Sequence, residues 1–246
     1  MTHHAQLWSN SWYPATGYLI AFVGSVLGLS CASRLHVVGL ARGKGWLAAG
    51  AISLGTGIWG MHFVAMLGYE VDGTDLHYEI GVTVLSWLLA VVVVGVGMYV
   101  AGRVDSWLYL LGGGLIAGFG VAGMHYLGMR AIRMPGSLSY DPGLVALSVL
   151  IAVVAATAAL WATLRVRSRV AITGAALVMA FAISAMHYTG MEAVTATTDG
   201  SGSDSVGGVS PSAFVLPLIV GLTLIILLVS FAVLMNTLDD VAADQR

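Results

Sequence analysis

Seven stretches of this chain are long and apolar enough to cross a lipid bilayer, and that constraint removes most folds before any motif is read. They fall at roughly 14–33, 46–69, 79–101, 107–130, 143–164, 170–193 and 213–235. A helical span needs about 20 consecutive apolar residues to cross the hydrocarbon. Backbone polar groups find no water there, so such runs are helices rather than open strands. Even Val91-Val92-Val93-Val94, which would favour a strand in water, is read as helix on length and context. The balance of residues agrees: 58% are hydrophobic and 9% charged, against about a quarter charged in soluble domains. The fold class is therefore all-α, a polytopic membrane protein of seven transmembrane helices whose first partner is the bilayer. A net charge of -2 gives nucleic acid no purchase.

Orientation follows from the basic residues. With the N-terminus outside, Arg34, Arg42, Lys44, Arg103, Arg165, Arg167, Arg169 and Arg246 face the cytoplasm, and only Arg130 and Arg133 lie outside. Cytoplasmic loops carry the excess of Lys and Arg in membrane proteins, so the C-terminus is expected inside. The acidic residues Glu70, Asp72, Asp75, Glu79, Asp141, Glu192, Asp199 and Asp204 make the outer face anionic. Met1 to Ser11 has no Lys or Arg and does not read as a signal peptide.

A hexapeptide occurs three times: Met61-His62-Phe63-Val64-Ala65-Met66, Met124-His125-Tyr126-Leu127-Gly128-Met129 and Met186-His187-Tyr188-Thr189-Gly190-Met191. It closes the second, fourth and sixth runs. The chain thus divides into three parallel two-helix repeats, about 14–69, 79–130 and 143–193, plus a seventh helix at about 213–235. Residues 1–235 form one membrane domain and 236–246 a short cytoplasmic tail. Small residues align upstream of each hexapeptide, at Gly55, Gly57 and Gly60, at Gly118, Gly120 and Gly123, and at Ala180, Ala182 and Ala185. Small residues let helix backbones approach closely in lipid, so helices 2, 4 and 6 are expected as an inner ring shielded by the others.

Each histidine shares a helix face with the methionine four residues on, and the preceding methionine lies about 100° round. Three such helices can bring together His62, His125 and His187 with Met61, Met66, Met124, Met129, Met186 and Met191. Calcium and magnesium prefer oxygen and structural zinc prefers thiolate and imidazole, whereas mixed thioether and imidazole favour copper. The histidines lie roughly 7–12 Å below the first outer charge of their helices, in the outer leaflet and reachable from outside. Haem between two histidines, and zinc, are the alternative cofactors. A membrane cytochrome and a copper transport or insertion protein are the alternative functions. No acid–base or nucleophile signature points to an enzyme, and Lys44, the sole lysine, is in an inside loop where it cannot form a retinal Schiff base. His77 is read as a solvated outer-loop residue, His36 as a headgroup contact, His3 and His4 as a polar tail able to chelate Cu(II), Cys31 as a small core residue, and 194–212 as a flexible linker.

Met186-His187-Tyr188-Thr189 spells the signature of the bacterial MHYT family of membrane-integral sensor modules, and the chain resembles that family over residues 1–235. The first copy departs at Phe63 and the second at Leu127. The resemblance implies a bacterial inner-membrane protein in which the three histidines hold copper, with the six methionines as candidate ligands, and which senses a diatomic gas (O2, CO or NO); a redox change at the metal is the alternative signal. It also implies a cytoplasmic signalling partner, since members of the family often carry domains that make or degrade cyclic diguanylate.

Overall fold

A computed structural model describes residues 2–3, 12–71, 74, 76–166, 168–198 and 207–244. Its seven long helices are α1 (Trp12–Arg42), α2 (Lys44–Met66), α3 (Ile80–Ala101), α4 (Trp107–Arg130), α5 (Pro142–Arg165), α6 (Arg169–Glu192) and α7 (Pro211–Asp244). All seven meet the length and hydropathy needed to span a bilayer, as expected. His4, Asp72, Asp75, Arg167, Asp199, Asp204 and Arg246 lie outside the described residues.

The first six helices form a closed ring in chain order, with α6 returning to α1, and α7 packs on α2 and α1. The aligned glycines explain how closely α1 to α5 pack along this ring. In α2, a Cβ on Gly55 would stand 2.7 Å from the Val91 backbone of α3, while Gly57 meets Gly24 of α1. In α4 the equivalents repeat the pattern, Gly118 against the Val153 backbone of α5 and Gly120 against Val93 of α3. The first small position thus seats each of these helices on the next repeat and the third seats it within its own hairpin. Indole hydrogen bonds from Trp59 to Ser86 (3.0 Å) and from Trp87 to Thr56 (3.0 Å) pin α2 to α3.

The even helices converge where their C-termini lie, and α2, α4 and α6 touch one another as expected of an inner ring. At the opposite end α1, α3 and α5 gather around a cavity of about 200 Å³ lined by Leu35, His36, Gly39, Met98, Gly102 and Thr163. We call these ends the cap face and the basic face. The ring is unevenly shielded: α2 is the most buried span, whereas α6 is no more buried than α3.

Two boundaries differ from the sequence reading. The basic segment after residue 33, expected as a loop, continues α1 to Arg42 and is bent at Gly39, whose φ of 76° suits a residue without Cβ. Arg34 and Arg42 can stay on a helix because long basic side chains reach the interface from helix ends. At the other terminus α7 runs on to Asp244, through the segment read as a tail.

The cap face carries small sheets. Strands β1 (Thr2–His3), β4 (Gly136–Tyr140) and β5 (Val194–Thr198) pair in the order β1-β5-β4, and β2 (His77–Tyr78) pairs with β3 (Ile132–Arg133). Part of the expected 194–212 linker is therefore strand, because Val194 to Thr198 finds antiparallel partners from Gly136 to Tyr140. His77 sits in β2 opposite Arg133 rather than in an open loop. An ion pair between Arg133 and Glu79 ties the segment after α4 to the start of α3.

Candidate metal centre

The three histidines meet on the axis of the bundle. Their Nδ1 atoms form a triangle with sides of 3.1 Å (His62 to His187), 3.2 Å (His125 to His62) and 3.4 Å (His187 to His125). The rings stand edge to face, 77–85° apart, like the blades of a three-bladed propeller. Each residue is 1% exposed. The register explains the convergence: three helices of one polarity, related by repeats of 63 and 62 residues, present the same position at the same depth.

Hydrogen bonding alone cannot satisfy this triangle. Each Nδ1 has a single in-plane site, carrying either a proton or a lone pair. One donor among three such atoms leaves two lone pairs facing each other. A cation at the centre satisfies all three. Nitrogens 3.1–3.4 Å apart lie about 1.9 Å from the middle of their triangle. Metal–imidazole bonds run roughly 2.0–2.1 Å for zinc, and three corners of a tetrahedron with such bonds stand about 3.3 Å apart. The triad thus has the dimensions of one face of a tetrahedral first-row metal site, with a fourth corner left over.

Glycines make room for it. The His62 Nε2 edge lies against Gly128 of α4 and the His125 Nε2 edge against Gly190 of α6, so closely that a Cβ at either glycine would collide with the ring. Neither Nε2 has a hydrogen-bond partner among the described residues. Sequence reasoning passed over these glycines, although both stand three residues after a histidine, where the first copy carries Ala65.

Layers stack on the axis at one-turn intervals. One turn toward the cap are Met66, Met129 and Met191, and one turn toward the basic face are Ile58, Val121 and Ile183, followed by Leu54, Ala117 and Met179. All nine are buried. The methionines preceding each histidine, Met61, Met124 and Met186, are equally buried and pack with the lower layers, while the later three pack with the cap. Side chains on a helix lean toward its N-terminus, so Met66, Met129 and Met191 lean onto the imidazoles.

Above this stack the cap closes the site. Tyr78 donates its hydroxyl proton to the Met66 carbonyl (3.1 Å) and stacks on Phe214 of α7 at 4.8 Å. Tyr69 and Tyr78 are buried here, and that burial raises both phenol pKa values, Tyr69 to about 12. The site expected to be reachable from outside is therefore lidded. Phe63 explains its own departure from tyrosine: it is fully buried between Trp59, Tyr78 and Phe214, where a hydroxyl would have no place. Tyr126, in contrast, turns outward and donates to Ser148 of α5 (2.7 Å), whose own proton goes to the Val145 carbonyl.

These elements define an all-helical membrane bundle of three repeated hairpins around a buried histidine triad. The chain belongs to the MHYT family, described as the bacterial signalling protein N-terminal repeat, which matches residues 55–114 and 118–180. It is 38% identical over 234 residues, 92% of its length, to the bifunctional diguanylate cyclase/cyclic di-GMP phosphodiesterase MucR of Pseudomonas aeruginosa. The cyclic di-GMP phosphodiesterase NbdA of the same organism is 38% identical over 73% of the chain, and the signalling protein YkoW of Bacillus subtilis is 31% identical over 72%. The aligned regions make up 33%, 24% and 23% of those proteins, so the chain spans a third or less of their length. No solved structure matches it significantly.

Proposed function

We propose that the chain is the sensory module of a membrane signalling protein, binding one copper ion through Nδ1 of His62, His125 and His187. The observation that carries this reading is the converging Nδ1 triangle. Met66, Met129 and Met191 compete for the fourth corner, and Met61, Met124 and Met186, about 100° round on their helices, are the more distant candidates. Imidazole with thioether selects copper, and thioether weighs toward Cu(I). Copper in such a setting supplies reversible binding of O2, CO or NO, or a one-electron redox change. The N-terminus lies outside and the C-terminus in the cytoplasm of a bacterial inner membrane, on the charge asymmetry of the loops.

The first repeat is the one wired to α7. His62 abuts Phe63, and Phe63 meets Phe214 and Tyr78, while Leu222 fills the space beside Gly60. A shift of the His62 helix is therefore felt by α7 at two points. We read α7 as the output rod toward a cytoplasmic partner of the kind named in MucR and NbdA, one that makes or degrades cyclic di-GMP.

Haem fits less well, because three nitrogens within 3.4 Å of one another surround a point and leave no plane for a macrocycle. Copper transport would need a second ligand layer along the axis, and the next layers are Ile58, Val121 and Ile183, then Leu54, Ala117 and Met179. Zinc is the second reading, since three histidines and one open corner also suit it. Elemental analysis with an absorption spectrum, on protein purified in lipid nanodiscs and loaded from a mixture of Cu(I) and Zn(II), separates these. Copper near one per chain, lost in His62→Ala/His125→Ala/His187→Ala, is the expected outcome. Zinc in its place, a Soret band, or equal metal in wild type and triple variant would overturn the copper reading.

A further inference from the structure

Directly beneath the histidine ring the axis is hollow. A cavity of about 60 Å³ is bounded above by Ile58, Val121, Ile183 and Met186 and on the flank by a run of alanines on α5. Its one polar lining group, the Thr163 hydroxyl, already donates to the Leu160 carbonyl (2.7 Å). A water molecule needs two to four polar partners, and apolar cavities of this kind stay dry and take up xenon or benzene. The space is several times what one water requires and suits a diatomic molecule or a single xenon atom.

The cavity also has a way in. Ala155, Ala156 and Ala159 of α5 and Ala182 of α6 line it yet are only half-buried. The opening therefore lies along the α5–α6 seam, on a flank of the bundle that faces hydrocarbon. On the cap face, among the described residues, Tyr78 and Phe214 stack over Met66 and cover that end of the axis. Apolar solutes leave water for hydrocarbon spontaneously, so the lipid is the richer reservoir. The residues that separate the cavity from the imidazoles stand one helical turn below them, about 5.4 Å along the axis.

We propose that this cavity is a binding site for a small apolar gas molecule, which enters sideways from the lipid between α5 and α6 and waits beneath the histidine triad. The proposal deepens the sensor reading and rests on it for its purpose, but the cavity can be tested without any metal.

The probe is xenon, measured by 129Xe NMR on chelator-treated protein in nanodiscs, with empty nanodiscs as the blank. Wild type is expected to show a bound-xenon signal above the blank. Ala156→Leu, which fills the cavity, and Ala182→Leu, which plugs its mouth, should lose it. Ala158→Leu, on the exposed side of α5, should keep it. Circular dichroism checks that each variant folds, and Ala182→Leu decides the matter if Ala156→Leu does not. Absence of signal in wild type, or full retention in the folded cavity variants, overturns the proposal. Xenon binding in a protein that takes up no metal would support the cavity while removing the sensor reading above it.

Discussion

Individual residues set the precision of the centre, and the glycines beside the imidazoles set it as much as the ligands do. Gly128→Ala and Gly190→Ala each push a Cβ into a histidine ring. Overpacking of this kind costs about 1–3 kcal/mol, and the ring can relieve it only by leaving the axis. We expect both variants to keep their helices by circular dichroism and to lose most of their bound metal. Phe63→Tyr restores the family's motif letter, yet it buries a hydroxyl among Trp59, Tyr78 and Phe214. An unsatisfied buried hydroxyl costs about 1–3 kcal/mol, so this change should lower the unfolding midpoint. A rise in the midpoint would show that the pocket has a partner for it. The cap has its own signature in alkali. Tyr69 ionises at about 12 in the fold against an ordinary 10, so the folded state holds its proton longer than the unfolded chain does. Its contribution is complete below pH 10 and is lost as pH rises toward 12. Tyr69→Phe should flatten the stability profile across that window, as followed by thermal unfolding.

At the level of elements, much of the fold was legible because lipid leaves so few choices. Run length marked all seven helices, and the 62–63 residue period put three Met-His pairs on helices of one polarity. What stayed hidden depended on contacts across repeats. Nothing in Val194 to Thr198 announces a strand until Gly136 to Tyr140 lies beside it. Nothing in the basic stretch from Arg34 to Arg42 shows that α1 carries on through it. The glycines after His125 and His187 were visible, but their purpose was not, because each serves a histidine on another helix. The position of α7 was equally out of reach, since its contacts to Phe63, Tyr78 and Gly60 are made by side chains without any repeat. Those contacts carry a prediction. Phe214→Ala removes a buried ring that stacks on Tyr78, and such truncations cost roughly 3–5 kcal/mol in protein cores. Metal content should be unchanged, while hydrogen exchange in the segment around Tyr78 should quicken on opening of the cap. Slower or unaltered exchange would mean that α7 is not what holds the cap.

For the whole molecule, the proposed metal binding links to stability. Any ion taken up by the folded form stabilises it by mass action, about 2.7 kcal/mol at a hundredfold excess over Kd. Chelation should therefore lower the unfolding temperature of wild type, and should leave the triple His→Ala variant where it is. The two ends of the bundle are not independent in this. The even helices cross at the cap face and the odd helices gather at the basic face, around Leu35, Met98 and Thr163. Five of the six rods are held near mid-length by glycine contacts, Gly57 on Gly24, Gly55 on Val91, Gly120 on Val93 and Gly118 on Val153, so each is gripped at its waist with its ends at different faces. The spacing of the three histidine nitrogens at one end and the bore among Leu35, Met98 and Thr163 at the other are therefore set by the tilts of helices packed against one another.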